Sequence, residues 1–107
     1  MKQTFGRVTV DEQGIRKGRF LSFFGSAFDL TWEEIDGWDT VEAVLASPHS
    51  GHIISRWLEL QTTGKVHFVD GTNGATEFRA LVEEVRRRLP EKRNSSILKQ
   101  MNPEMYR

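Results

Sequence analysis

Only one stretch of this chain carries a clear helical period. Phe78, Leu81, Val82, Val85 and Leu89 recur at spacings of 3, 1, 3 and 4, which puts five apolar side chains on one face of an α-helix. Pro90 stops that helix, because proline has no amide to donate and its ring clashes with the preceding turn. Thr72 or Asn73 suits the N-cap. Arg86, Arg87 and Arg88 crowd the last turn, where cations meet the negative end of the helix dipole. The pattern predicts a helix over 74–89, about 24 Å long and able to lie across a small sheet.

The chain upstream alternates instead. Six runs read as strands: 4–10, 15–24, 27–32, 38–46, 52–62 and 65–69. Turn residues separate them, at Asp11-Glu12-Gln13-Gly14, Ser47-Pro48-His49-Ser50-Gly51, Thr63-Gly64 and Asp70-Gly71-Thr72-Asn73-Gly74. Gly25-Ser26 suits a two-residue hairpin, since glycine accepts positive φ at the first turn position. That turn sets Phe23 opposite Phe28 and Leu21 opposite Leu30, all on a core face, with Arg19 opposite Trp32. Phe20 and Phe24 then point away from the core, and Phe5 and Trp57 have the same off-core parity.

Composition narrows the class. The 107 residues fit one domain, with 37% hydrophobic residues and no cysteine, so neither disulfides nor thiolate chemistry enter. The absence of cysteine fits a reducing compartment. No apolar h-region follows the N-terminal Met1-Lys2-Gln3, and the most apolar neighbourhood, 20–30, falls far short of the roughly 20 apolar residues of a membrane helix. The reading is therefore a cytoplasmic domain without a transmembrane segment. Net charge is zero but segregated: residues 1–19 carry +3, 20–42 carry −6 and 86–107 carry +5. Ordinary solvated faces account for this, and oriented association is the sharper alternative. Overall neutrality argues against a nucleic-acid binder.

Strands followed by one C-terminal amphipathic helix resemble the pleckstrin-homology-like (PH-like) superfamily, the bacterial PH-like domains above all. The resemblance rests on Asp11-Glu12-Gln13-Gly14-Ile15, on Leu30-Thr31-Trp32-Glu33-Glu34-Ile35, on Leu58-Glu59-Leu60-Gln61-Thr62-Thr63-Gly64-Lys65 and on the helix ending at Pro90. It implies a mainly β fold: a bent antiparallel sheet or barrel of six to seven strands capped by the C-terminal helix. A seventh strand is expected within 36–62. The domain spans 1–90. Residues 91–107 form a polar tail, frayed by default or docked as the sharper alternative.

Two site hypotheses follow. Arg16, Lys17 and Arg19, with Arg7 as partner, resemble the basic residues with which PH domains hold phosphoinositides, and converging cations on strands suit an anionic headgroup. Against this stand the commonness of a basic-x-basic pattern, the nearby Asp11 and Glu12, and an Arg19–Trp32 stacking role. Phe20, Phe24 and Trp57 form the second candidate, an apolar face for a protein partner or self-association. Their cover by the tail or a neighbouring strand is the bland counterpart. His49 and His52 have an HxxH spacing, but on a loop and without cysteine. No nucleophile, P-loop or metalloprotease motif is present. The expectation is a non-enzymatic binding or self-assembly module without cofactor or metal.

Overall fold

The computed structural model describes residues 2–5, 7–18, 27–47, 51–71 and 74–101, with the backbone alone for 44–47 and 51–54. Alternating apolar and polar side chains build seven strands among them. β1 (Gln3–Phe5), β2 (Val8–Val10), β3 (Gly14–Lys17) and β4 (Phe28–Thr31) form one antiparallel sheet in that order. β5 (Gly37–Ser47), β6 (Gly51–Thr62) and β7 (Lys65–Asp70) form a second. A 3-10 turn at Trp32–Glu34 joins the sheets, its first turn capped by the Thr31 hydroxyl, which accepts from Glu34 N. The fold is thus mainly β with a C-terminal helix. Among the described residues the two sheets do not close into a barrel.

Several expectations need correction. The first predicted strand is two, because Phe5 pairs antiparallel with Val8. The seventh strand arises here and not within 36–62. The reversal also changes side-chain parity, so Phe5 packs against the core instead of away from it. The hairpin register at Gly25-Ser26 does not hold. Phe28 pairs with Lys17 and Leu30 with Ile15, whereas a two-residue turn at 25–26 would set Lys17 opposite Glu34. Both Phe28 and Leu30 are buried as expected, because a register shift by an even number of residues preserves the face. Arg19, Phe20, Leu21, Phe23, Phe24, Thr72 and Asn73 lie outside the described residues.

The helix forms where the apolar stripe lies. α1 (Ala75–Arg88) starts at Gly74 without a side-chain cap and ends at Leu89, one residue before Pro90. Its buried face carries Leu81, Val82 and Val85. These pack with Val8, Val10, Ile15, Leu30, Leu58 and Leu60 of the two sheets and with Ile35 and Trp38 in one core. Gly64, at φ +73°, makes the tight turn between β6 and β7, a conformation costly for any side chain. Gly71 starts the connection to α1. A Cβ there would meet the Phe78 ring at 2.2 Å, so only glycine lets the helix begin this close to β7.

After α1 the chain turns back. Trp38 N donates to Lys92 O at 3.0 Å and Asn94 N to Trp38 O at 3.1 Å, an isolated parallel bridge between Trp38 and Arg93. A short helix α2 (Ile97–Met101) follows. The part of the polar tail described here, 91–101, therefore lies against the second sheet.

Leu60 is fully buried, so Leu60→Ala should lower unfolding free energy by about 2–5 kcal/mol in urea titrations. Ile97 is 41% exposed, and Ile97→Ala should shift it by no more than about 0.5 kcal/mol. Equal effects would contradict this placement of the core.

Candidate functional site

Consecutive residues of a strand point to opposite faces, and this separates the basic cluster. Arg16 lies on the outer face of the first sheet, where its guanidinium pairs with Asp11 at 2.8 Å and Asp29 at 3.4 Å. Asp11 also accepts from the amides of Gln13 and Gly14. The Gln13 amide foremost, with the Gly14 amide and the Arg16 charge, holds its carboxyl below the usual range. Lys17 lies on the inner face. Its Nζ donates to the Phe68 carbonyl at 2.9 Å and sits 6.0 Å from the centre of the Phe28 ring. Burial pushes its ammonium pKa down, with Asp70 opposing. Arg7 is exposed, and its backbone carbonyl accepts from Gly18 N. Arg16 and Lys17 are thus not brought together, while the Lys17–Phe68 bond ties the two sheets. Trp32, expected to stack with Arg19, carries Arg88 5.3 Å from its ring centre and donates its indole N–H to Asp11 O. Trp57 is half-buried on the outer face of the second sheet, opposite Val41.

The inner face of that sheet leads to a cleft. Trp38, Thr40 and Glu42 share one side of β5. Trp38 belongs to the core, whereas Thr40 and Glu42 line an opening of about 450 Å³ between the sheet and α1. Arg56, Phe78, Val82 and Arg86 line it as well. The core ends, and the cleft begins, where the strand's inner residues change from apolar to polar. Beside it runs the edge of β5, the terminal strand of its sheet. Antiparallel ladders alternate, so if Trp38 directs its N–H and C=O outward, then Thr40, Glu42, Val44 and Ala46 do too. Thr40 N is taken by Asp39 Oδ1 at 2.8 Å. Among the described residues no strand pairs with this edge beyond the Trp38 bridge.

The outer face carries a second construction that sequence reasoning missed. Asp39 and Glu59 are directly opposed across β5 and β6, and both are buried, at 4% and 0% exposure. Two adjacent carboxylates in such a place require donors. Ser96 N reaches Asp39 Oδ2 at 2.9 Å, and Lys99 Nζ reaches the same oxygen at 3.1 Å. Ser96 Oγ donates to Glu59 Oε1 at 3.0 Å, and Ile97 N to Glu59 Oε2 at 3.1 Å. Gln61 Nε2 adds a donor to Glu59 at 2.8 Å. Within the pattern Leu58-Glu59-Leu60, alternation assigns Glu59 to the outer face, and an outer glutamate ordinarily reads as solvated. The complementary charge of 20–42 and 86–107 was the only available signal.

His67 links the sheets from the inner face. Its ring centre lies 5.4 Å from that of Phe28, and Nε2 is 3.2 Å from Thr62 Oγ1. His49 lies outside the described residues, as does the side chain of His52. Among the described residues no group of three His, Asp or Glu side chains is arranged to hold a metal ion. Among the described residues no helix is long and apolar enough to cross a membrane. Comparison with known proteins finds no matching family model, no matching curated protein and no matching solved structure.

Burial lowers the His67 pKa below its ordinary 6.5, helped by Lys65 and opposed by Glu34. The unfolded chain therefore takes up this proton first as pH falls. The stability owed to neutral His67 is full above pH 6.5 and is lost as pH drops through the folded value. His67→Gln should flatten that part of a stability-against-pH profile, measured by urea unfolding. An unchanged slope contradicts the assignment.

Proposed function

We propose that this chain is a non-enzymatic, cytoplasmic PH-like module that binds an extended polypeptide segment as an added strand along β5. The segment comes from a partner protein or from a second copy. Support for the PH-like assignment is the order of elements: four strands in one antiparallel sheet, three in the next, and a helix after the last. The observation that carries the binding reading is the parallel bridge between Trp38 and Arg93. There the β5 edge already takes a strand-like segment, and beyond it the edge continues beside the cleft. Backbone hydrogen bonds to an open edge supply affinity, and a flanking groove supplies side-chain selectivity. Phe78 and Val82 offer apolar contact in that groove, while Glu42, Arg56 and Arg86 offer charge. Trp57, Phe20 and Phe24 are the candidate anchors for self-association. Recognition of an anionic headgroup by Arg7, Arg16, Lys17 and Arg19 is the competing proposal.

Peptides selected from a displayed random library on the full chain separate the two. Hydrogen exchange should slow at Glu42, Val44 and Ala46 when a selected peptide binds. Glu42→Pro, which removes one outward donor from an edge strand that tolerates proline, should abolish binding. Peptides that leave these amides unchanged contradict the proposal. So does inositol-phosphate binding that is lost on charge reversal at Lys17 and Arg19, which favours the headgroup reading.

A further inference from the structure

We infer that residues 92–101 form a displaceable strap, which occupies the first rung of the β5 edge and thereby limits what that edge can bind. The inference rests on the β5 reading for its functional meaning, since it concerns regulation of the same edge. The strap leaves α1 at Leu89, and Pro90 separates it from the helix. The Lys92 carbonyl accepts from the outward N–H of Trp38 and the Asn94 N–H donates to its C=O, as in an incoming strand. Further along, Ser96, Ile97 and Lys99 bind the Asp39–Glu59 pair.

The character of these contacts makes the strap separable. They are polar, and of the strap's large apolar side chains Leu98 is half-buried while Ile97 and Met101 stay 41% and 69% exposed. A segment that buries little apolar surface has a weak tie to the core and opens below the free energy of global unfolding. Opening also returns Asp39 and Glu59 to water, which solvates both carboxylates and screens their mutual repulsion. The closed state depends on the donors of Ser96, Ile97 and Lys99, and the open state does not. With the strap away, Trp38 joins Glu42, Val44 and Ala46 as an outward rung. Thr40 becomes a further rung once Asp39 releases its amide.

The test uses the strap as its own probe. A fluorescently labelled synthetic peptide of residues 91–101 is titrated into full-length protein. Wild type should not bind it, because the tethered strap competes at high effective concentration. Ser96→Pro removes both donors of Ser96 and should bind the peptide. Lys99→Glu serves as a second weakened-strap variant. A Cβ at Gly37 would lie 2.8 Å from Asn94 Cγ, so cysteines at both positions face each other in an otherwise cysteine-free chain. In the Ser96→Pro background, this Gly37→Cys/Asn94→Cys staple should lose peptide binding when oxidised and regain it on reduction. The selected library peptides should bind Ser96→Pro more tightly than wild type. Absence of strap-peptide binding in both weakened variants, with Leu60 and Val85 amides still protected from exchange, overturns the inference. Equal binding to wild type and variants does so too. The strap peptide needs no foreign ligand, so this result stands apart from success or failure of the library selection.

Discussion

Trp38 is the joint on which this structure depends. Its side chain is 1% exposed, and its indole N–H donates to the Leu89 carbonyl at 2.9 Å, satisfying a free carbonyl at the end of α1. The guanidinium groups of Arg86 and Arg93 lie 5.8 Å and 5.7 Å from its ring centre. Its backbone holds Lys92 and Asn94, and its cross-strand neighbour is Leu60. One residue thus fixes the end of the helix against the second sheet and starts the return of the chain along the β5 edge.

The cleft and the strap follow from that joint. The helix is held close to the sheet at its C-terminal end by Trp38 and near its start by the contact of Phe78 with Gly71. Between these, Thr40, Glu42 and Arg56 replace apolar residues on the sheet's inner face, and an opening of about 450 Å³ remains. On the outer face, Asp39 and Glu59 are neighbours because β5 and β6 pair in this register. Their burial is sustained by donors delivered from a segment that Trp38 itself directs past them.

Features set by local physics were legible in the sequence. The stripe from Phe78 to Leu89 located α1 within a residue at each end, because helical period and Pro90 are local signals. Phe28 and Leu30 fall on the core face as the alternation predicts, since alternation depends on parity alone. Register was not legible in the same way. The Gly25-Ser26 turn paired Phe28 with Phe23, yet a pairing with Lys17 buries the same face of β4. The break between β1 and β2 is not legible, because 4–10 alternates well enough as a single strand. The buried Asp39–Glu59 pair was illegible for a different reason. Its burial depends on Ser96, 57 and 37 residues away in sequence, and no local pattern marks such a meeting. The basic stretch around Lys17 had the opposite fate. Its pattern was conspicuous, but strand alternation sends Arg16 and Lys17 to different partners.

Among the described residues β5 is closed at its first rung by the Trp38–Arg93 bridge and open beyond it. Native-state hydrogen exchange of the full chain, resolved by residue, tests this most directly. The Trp38 amide, bonded to Lys92, should exchange slowly, as should Val41 and Ala43, which face β6. The edge amides of Glu42 and Val44 should exchange orders of magnitude faster. Uniform protection along β5, from Trp38 through Val44, would mean that the edge is covered throughout and would contradict the account.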